Sequence, residues 1–142
     1  MAAAMTFAEA IDTIEEAYEF MLAYAAQGLP TDKDSQSGGQ LRELLDRAAK
    51  ALSGLAESFA RTVRQEGFEQ PERYQAFYQV VDRDARDSLA TIELVLTQPA
   101  ISSQLIDNLN ASIHLRALLT DLFLIGEIFR AQGRLAQPAV TG

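Results

Sequence analysis

Three stretches of this sequence repeat apolar residues in alternating steps of four and three, a spacing that confines them to helices. Phe7, Ile11, Ile14, Tyr18, Met21 and Ala25 form the first series. Leu41, Leu45, Ala48, Leu52, Leu55, Phe59 and Thr62 form the second, and Tyr74, Tyr78, Val81, Ala85, Ser88, Ile92 and Val95 the third. Such a heptad step puts each series on one side of a helix, as a seam for another helix. A strand would alternate at every second residue, and no β-branched run bounded by Gly or Pro is present.

The punctuation of the chain sets the helix limits. Thr6 and Glu9 have capping-box spacing and Gly28 is a stop, which predicts a helix over 6–27. LPTDKDSQSGG, residues 29–39, is polar, aperiodic and rich in Gly, Ser and Asp, and is expected to be a flexible loop. A second helix is expected over 40–66, closed by Gly67. Gly54 inside it suggests a close helix–helix approach. Pro71 suits the first position of a third helix, over 71–97. In the segment DRDARD, Asp82 with Arg86 and Arg83 with Asp87 have the spacing of solvated i,i+4 ion pairs.

Pro99 breaks the chain, and Ser102 or Ser103 caps a last helix expected over 102–132, with a frayed tail over 133–142. Its middle, IHLRALLTDLFLIGEIF, is the most apolar stretch of the sequence. At about 100° per residue its apolar side chains fall nearly all round the axis, a pattern of burial on several sides. Leu115, Leu118, Leu122 and Phe129 share one face, while Asn110, His114 and Asp121 form a narrow polar seam. The run is short for a bilayer and carries His114, Arg116, Asp121 and Glu127, so a membrane span is not expected. Together these segments predict one all-α domain over 1–142, an antiparallel up-and-down four-helix bundle with a long, very apolar C-terminal helix.

Composition narrows the function. The chain of 142 residues is 48% hydrophobic and 23% charged, normal for a globular protein. Its net charge of −8 repels phosphate backbones and anionic lipid, so nucleic-acid binding is not expected. With no cysteine, disulfides, Cys-ligated zinc, Fe–S clusters and thiol catalysis are excluded. The first sixteen residues lack a basic region and turn acidic early, unlike a secretory signal, so a cytoplasmic location is the default expectation.

Few chemical motifs emerge. A di-iron bundle needs two Glu-x-x-His pairs, and this chain has one histidine with Ala111 three residues before it. Histidine-phosphotransfer domains are acidic helical bundles of similar size, and the chain resembles them in size and architecture. The position three after His114, where they carry Lys, holds Ala117. Asp121 follows His114 by seven residues on the same face, as a polar pair. Asp32, Asp34, Gln36, Gln40 and Glu43 occupy the first, third, fifth, ninth and twelfth positions of a segment that resembles an EF-hand calcium loop. It departs from that pattern with Ser37 at the sixth position and Gly39 at the eighth. A ligand pocket lined by Tyr18 and Tyr78, between the first and third helices, is a further alternative.

The expectation is a non-catalytic interaction protein (an adaptor, assembly factor or regulator) without a cofactor. It would act through Leu115, Leu118, Leu122 and Phe129, with itself as a homodimer or with another protein. The alternatives are a phosphotransfer domain using His114 and a regulatory bundle binding Ca²⁺, at Asp32, Asp34, Gln36 and Glu43, or a small molecule.

Overall fold

A computed structural model describes residues 5–134. It is all-helical, with five helices: α1 (Phe7–Ala26), α2 (Gln36–Glu66), α3 (Pro71–Leu96), α4 (Ser103–Ala111) and α5 (Ile113–Ala131). Consecutive helices α1, α2 and α3 pack side by side; α4 then lies against α1 and α5 against α3. Among the described residues, no helix is long and apolar enough to cross a membrane. The tail expected to fray lies, over residues 135–142, outside the described residues.

The caps read from the sequence are in place at several ends. Thr6 Oγ1 accepts from the Glu9 N–H at 3.1 Å, and Glu9 accepts from the Thr6 N–H at 2.9 Å, a reciprocal capping box. Gly28 and Gly67 take left-handed conformations after α1 and α2, where a side chain would be strained. Pro71 opens α3. At the end of α5, Gly133 donates to Arg130 and Arg134 donates to the Phe129 carbonyl at 2.7 Å, the paired bonds of a Schellman motif.

Two expectations about helices are corrected. Residues 36–39 are not loop: Ser35 caps α2, its hydroxyl accepting from the Gly38 N–H at 3.0 Å. Gly38 lies so near the preceding loop that a Cβ there would fall 1.8 Å from the Asp32 carbonyl oxygen. The close approach therefore belongs to Gly38 and not to Gly54, which has open space beside it.

The second correction concerns the long C-terminal helix, which is two helices. Ser112 is extended, ends α4 and caps α5, accepting from the Leu115 N–H at 3.3 Å. A straight helix would have to offer Ile106 and Leu109 to α1 and Leu115, Leu118 and Leu122 to α3 from one axis. The break redirects the chain so that each set is buried against its own neighbour. Asn110 Nδ2 donates to the Met21 carbonyl on α1, and Ser88 Oγ on α3 donates to the His114 carbonyl on α5, pinning the two pieces separately.

The heptad seams form the core. Ile11, Ile14, Met21, Leu41, Leu45, Leu52, Leu55, Val81 and Ile92 are all buried in one cluster, each such aliphatic side chain contributing about 1.5–3 kcal/mol by leaving water. The two ends of the molecule differ. At one, Phe7, Phe59, Phe68, Tyr74, Phe77 and Phe129 make a ring cluster, with Phe68 stacked on Tyr74 at 4.5 Å and on Phe129 at 4.9 Å.

At the other end a polar clasp joins the α1–α2 loop to the α3–α4 loop. Buried Asp32 pairs with Arg42, whose guanidinium also donates to the Leu96 and Gln98 carbonyls. Tyr24 Oη donates to the Ile101 carbonyl at 2.7 Å, and Ser103 Oγ donates to the Tyr24 carbonyl at 2.6 Å.

Candidate functional site

The first ten residues of α3, Pro71–Val80, include no buried residue. Tyr74, Phe77 and Tyr78 are half-buried and rest on the core, while the rest of PERYQAFYQV faces outward. This stretch of helix stands between two clefts. The larger, about 720 Å³, lies between α3 and α5 and is within the range of small-ligand sites. Tyr74, Phe77, Ile125 and Ile128 contribute apolar surface to it, and Leu124, Arg73, Gln132 and Arg134 also line it. The smaller, about 350 Å³, lies between α2 and α3 beside Phe59, Val63 and Tyr78. Tyr78 therefore does line a cleft, but its opposite wall is α2, not α1.

The rim of the larger cleft is polar. Gln132 Nε2 donates to Tyr74 Oη at 3.1 Å, tying the end of α5 to the start of α3. The Arg134 guanidinium lies 5.3 Å above the Phe68 ring and pairs with Glu66 at 3.0 Å. On α5, Leu124 (53% exposed) puts apolar surface into solvent beside this cleft, while Phe123 (54%) and Ile113 (75%) are exposed elsewhere on the helix.

The expected contact face is placed elsewhere. Leu115, Leu118, Leu122 and Phe129 are all buried in the core of the single chain, because that side of α5 packs on α3 and the ring cluster. As folded, they present no surface to a partner.

His114 and Asp121 do not meet each other; each finds an aspartate of α3. His114 is exposed, with Nδ1 3.9 Å from Asp87 Oδ2. Asp121 is only 8% exposed, with Asp84 of α3 as its acidic neighbour. Burial foremost, then the hydrogen bond and negative charge of Asp84, pushes the Asp121 carboxyl up to about 8. Its Oδ2 is buried with no hydrogen-bond partner.

Sequence reasoning passed over Asp84 because DRDARD reads as an exposed charge run. The Asp82–Arg86 pair is there at 3.0 Å, but Asp87 turns to His114. A signal was available: Asp84 has Val80 and Ser88 at i−4 and i+4, no cation at either, and lies beside the seam residues Val81 and Ala85.

The calcium reading is also corrected in its geometry. Because α2 starts at Gln36, Gln36 and Glu43 lie on a helix and cannot wrap around an ion with Asp34. Asp32 is occupied by Arg42 and the Ile101 N–H, and Arg42 foremost holds its carboxyl below the usual range. Among the described residues, no three His, Asp or Glu side chains gather as a metal site.

Comparison with known proteins found no matching family model, no matching curated protein and no matching solved structure.

Proposed function

We propose that this chain is a non-catalytic helical interaction protein that binds through the outer side of α5 and the cleft between α3 and α5. In this reading α4 and α5 act together as a bent fourth member of an up-and-down four-helix bundle, and a second copy of the chain is the simplest partner. The observation that carries it is Leu124, about half exposed on the wall of an apolar-floored cleft, with Phe123, also about half exposed, on the outer side of the same helix. Isolated exposed apolar residues are ordinary, but such residues bordering a concave apolar surface are a recurrent feature of binding sites.

Light scattering at micromolar concentration tests it. A dimer that becomes a monomer in Phe123→Glu/Leu124→Glu, with helix content unchanged, supports self-association through this surface. A monomeric wild-type chain would remove the homodimer and leave a different partner to be sought by pull-down.

The phosphotransfer alternative has one support, the exposure of the His114 ring. The neighbouring Asp87 counts against it, because a carboxylate repels an incoming phosphoryl donor. Labelling by a phosphodonor that is lost in His114→Gln would revive it.

A further inference from the structure

We propose that two copies of this chain pair α5 against α5 in antiparallel orientation about a two-fold axis. Phe123 of each copy lies over Thr120 of the other, and Arg116 of each lies beside Glu127 of the other. This rests on the reading that the outer side of α5 takes a second copy, and adds the orientation and the charges that set it.

A second heptad series runs along α5. Ile113, Arg116, Thr120, Phe123 and Glu127 follow one another in steps of three, four, three and four. At 3.6 residues per turn they fall within about 80° of the helix surface. All five are exposed. They lie opposite Leu115, Leu118, Leu122 and Phe129, which the core of the single chain takes. The stripe therefore has the spacing of a seam for another helix, and in the single chain it faces water. Ile113 and Phe123 put large apolar side chains on it, and exposed Leu124 widens it at its centre.

The order of the charges selects the orientation. Arg116 lies four residues before Thr120, and Glu127 four residues after Phe123. An antiparallel pair that sets Thr120 against Phe123 brings Arg116 level with Glu127 of the other copy, and the two-fold axis repeats that contact. A parallel pair in register would set Arg116 against Arg116 and Glu127 against Glu127, and both contacts would repel. Among the described residues, no ion pair or hydrogen bond holds the Arg116 side chain. Glu127 is bonded to Arg130 at 3.3 Å, yet its side chain is 75% exposed and open to a second cation.

The charge of the helix favours contact with its own copy. Arg116 and Arg130 balance Asp121 and Glu127 on α5, within a chain of net charge −8. Two copies that meet along α5 bring neutral surfaces together and keep their acidic residues apart.

Charge reversal in the full chain tests the pairing, with the dimer dissociation constant read by sedimentation equilibrium and helix content by circular dichroism. Arg116→Glu and Glu127→Arg each place like charges at both symmetric contacts, and each should weaken the dimer by roughly tenfold. The double variant Arg116→Glu/Glu127→Arg restores opposite charges and should return to within about threefold of wild type. A double variant as weak as the two single effects combined, or a dimer indifferent to all three, would overturn the antiparallel pairing. If Phe123→Glu/Leu124→Glu still broke that dimer, the reading beneath would survive. A monomeric wild-type chain would sink both.

Cross-linking gives an answer that needs no charge variant to fold. The chain has no cysteine of its own. Thr120→Cys mixed with Phe123→Cys should form a disulfide dimer faster than either variant alone, because the pairing sets each position against the other. Faster oxidation of either variant alone than of the mixture would mean parallel helices and overturn the proposal.

Discussion

The Asp32 carboxylate accepts a hydrogen bond from the Ile101 backbone N–H at 2.7 Å, joining two loops 69 residues apart in sequence. Asp32 is thereby shared between a main-chain donor and the Arg42 guanidinium, and neither loop is fixed by its own residues alone. Replacing Asp32 with Ala leaves a buried N–H and a partly buried cation unmatched. The expected loss is about 2–4 kcal/mol, read as a lower urea midpoint with an unchanged slope.

The same contact sets an acid limit. Arg42 foremost lowers the Asp32 carboxyl below its usual value, so the folded state binds that proton less readily than the unfolded state. This contribution to stability is complete above about pH 4 and disappears as pH falls through the lowered value. Thermal midpoints of Asp32→Ala should therefore fall less steeply than wild type in that acid range. Asp121 has the opposite sign: its raised carboxyl makes the fold lose stability as pH climbs from about 4 to about 8.

Two glycines of α2 should respond oppositely to alanine. At Gly38 the added methyl meets the Asp32 backbone, which cannot move without opening the clasp. Gly38→Ala is expected to cost about 3 kcal/mol or more. At Gly54, exposed and unobstructed, alanine should stabilise by about 0.5–1 kcal/mol through its better helix propensity. Denaturant unfolding of the two variants would show the opposite signs, and equal signs would contradict the packing at Asp32.

Leu118 tests which side of α5 belongs to the monomer. It is fully buried, and Leu118→Ala should cost about 2–5 kcal/mol without changing oligomeric state. A variant of wild-type stability that dissociates a dimer would return this face to a partner.

The helices and most of their ends were readable because their causes are local. Thr6 with Glu9, Gly67 and Pro71 act within a few residues, and the heptad residues of α1, α2 and α3 fell largely in the core. The break at Ser112 was not, because the apolar pattern continues through it. Its one local mark, a serine able to cap, lacks a Glu or Gln three residues on to complete a capping box. All-round apolarity then suggested an external partner, where the chain had turned to satisfy two internal neighbours. The cleft depends on which helices meet, and spacing within one segment carries no trace of that; for Asp84 the one local sign was the lack of a cation four residues to either side.

The loop-to-loop clasp also bears on synthesis. Asp32 leaves the ribosome 69 residues before Ile101. At about 5–20 residues per second that interval is roughly 3–14 s. Throughout it, the Tyr24 hydroxyl and carbonyl lack their partners at Ile101 and Ser103. The clasp therefore closes only after α3 has been made, the ring cluster at the other end waits longer still for Phe129, and in that interval a chaperone would find a surface to hold.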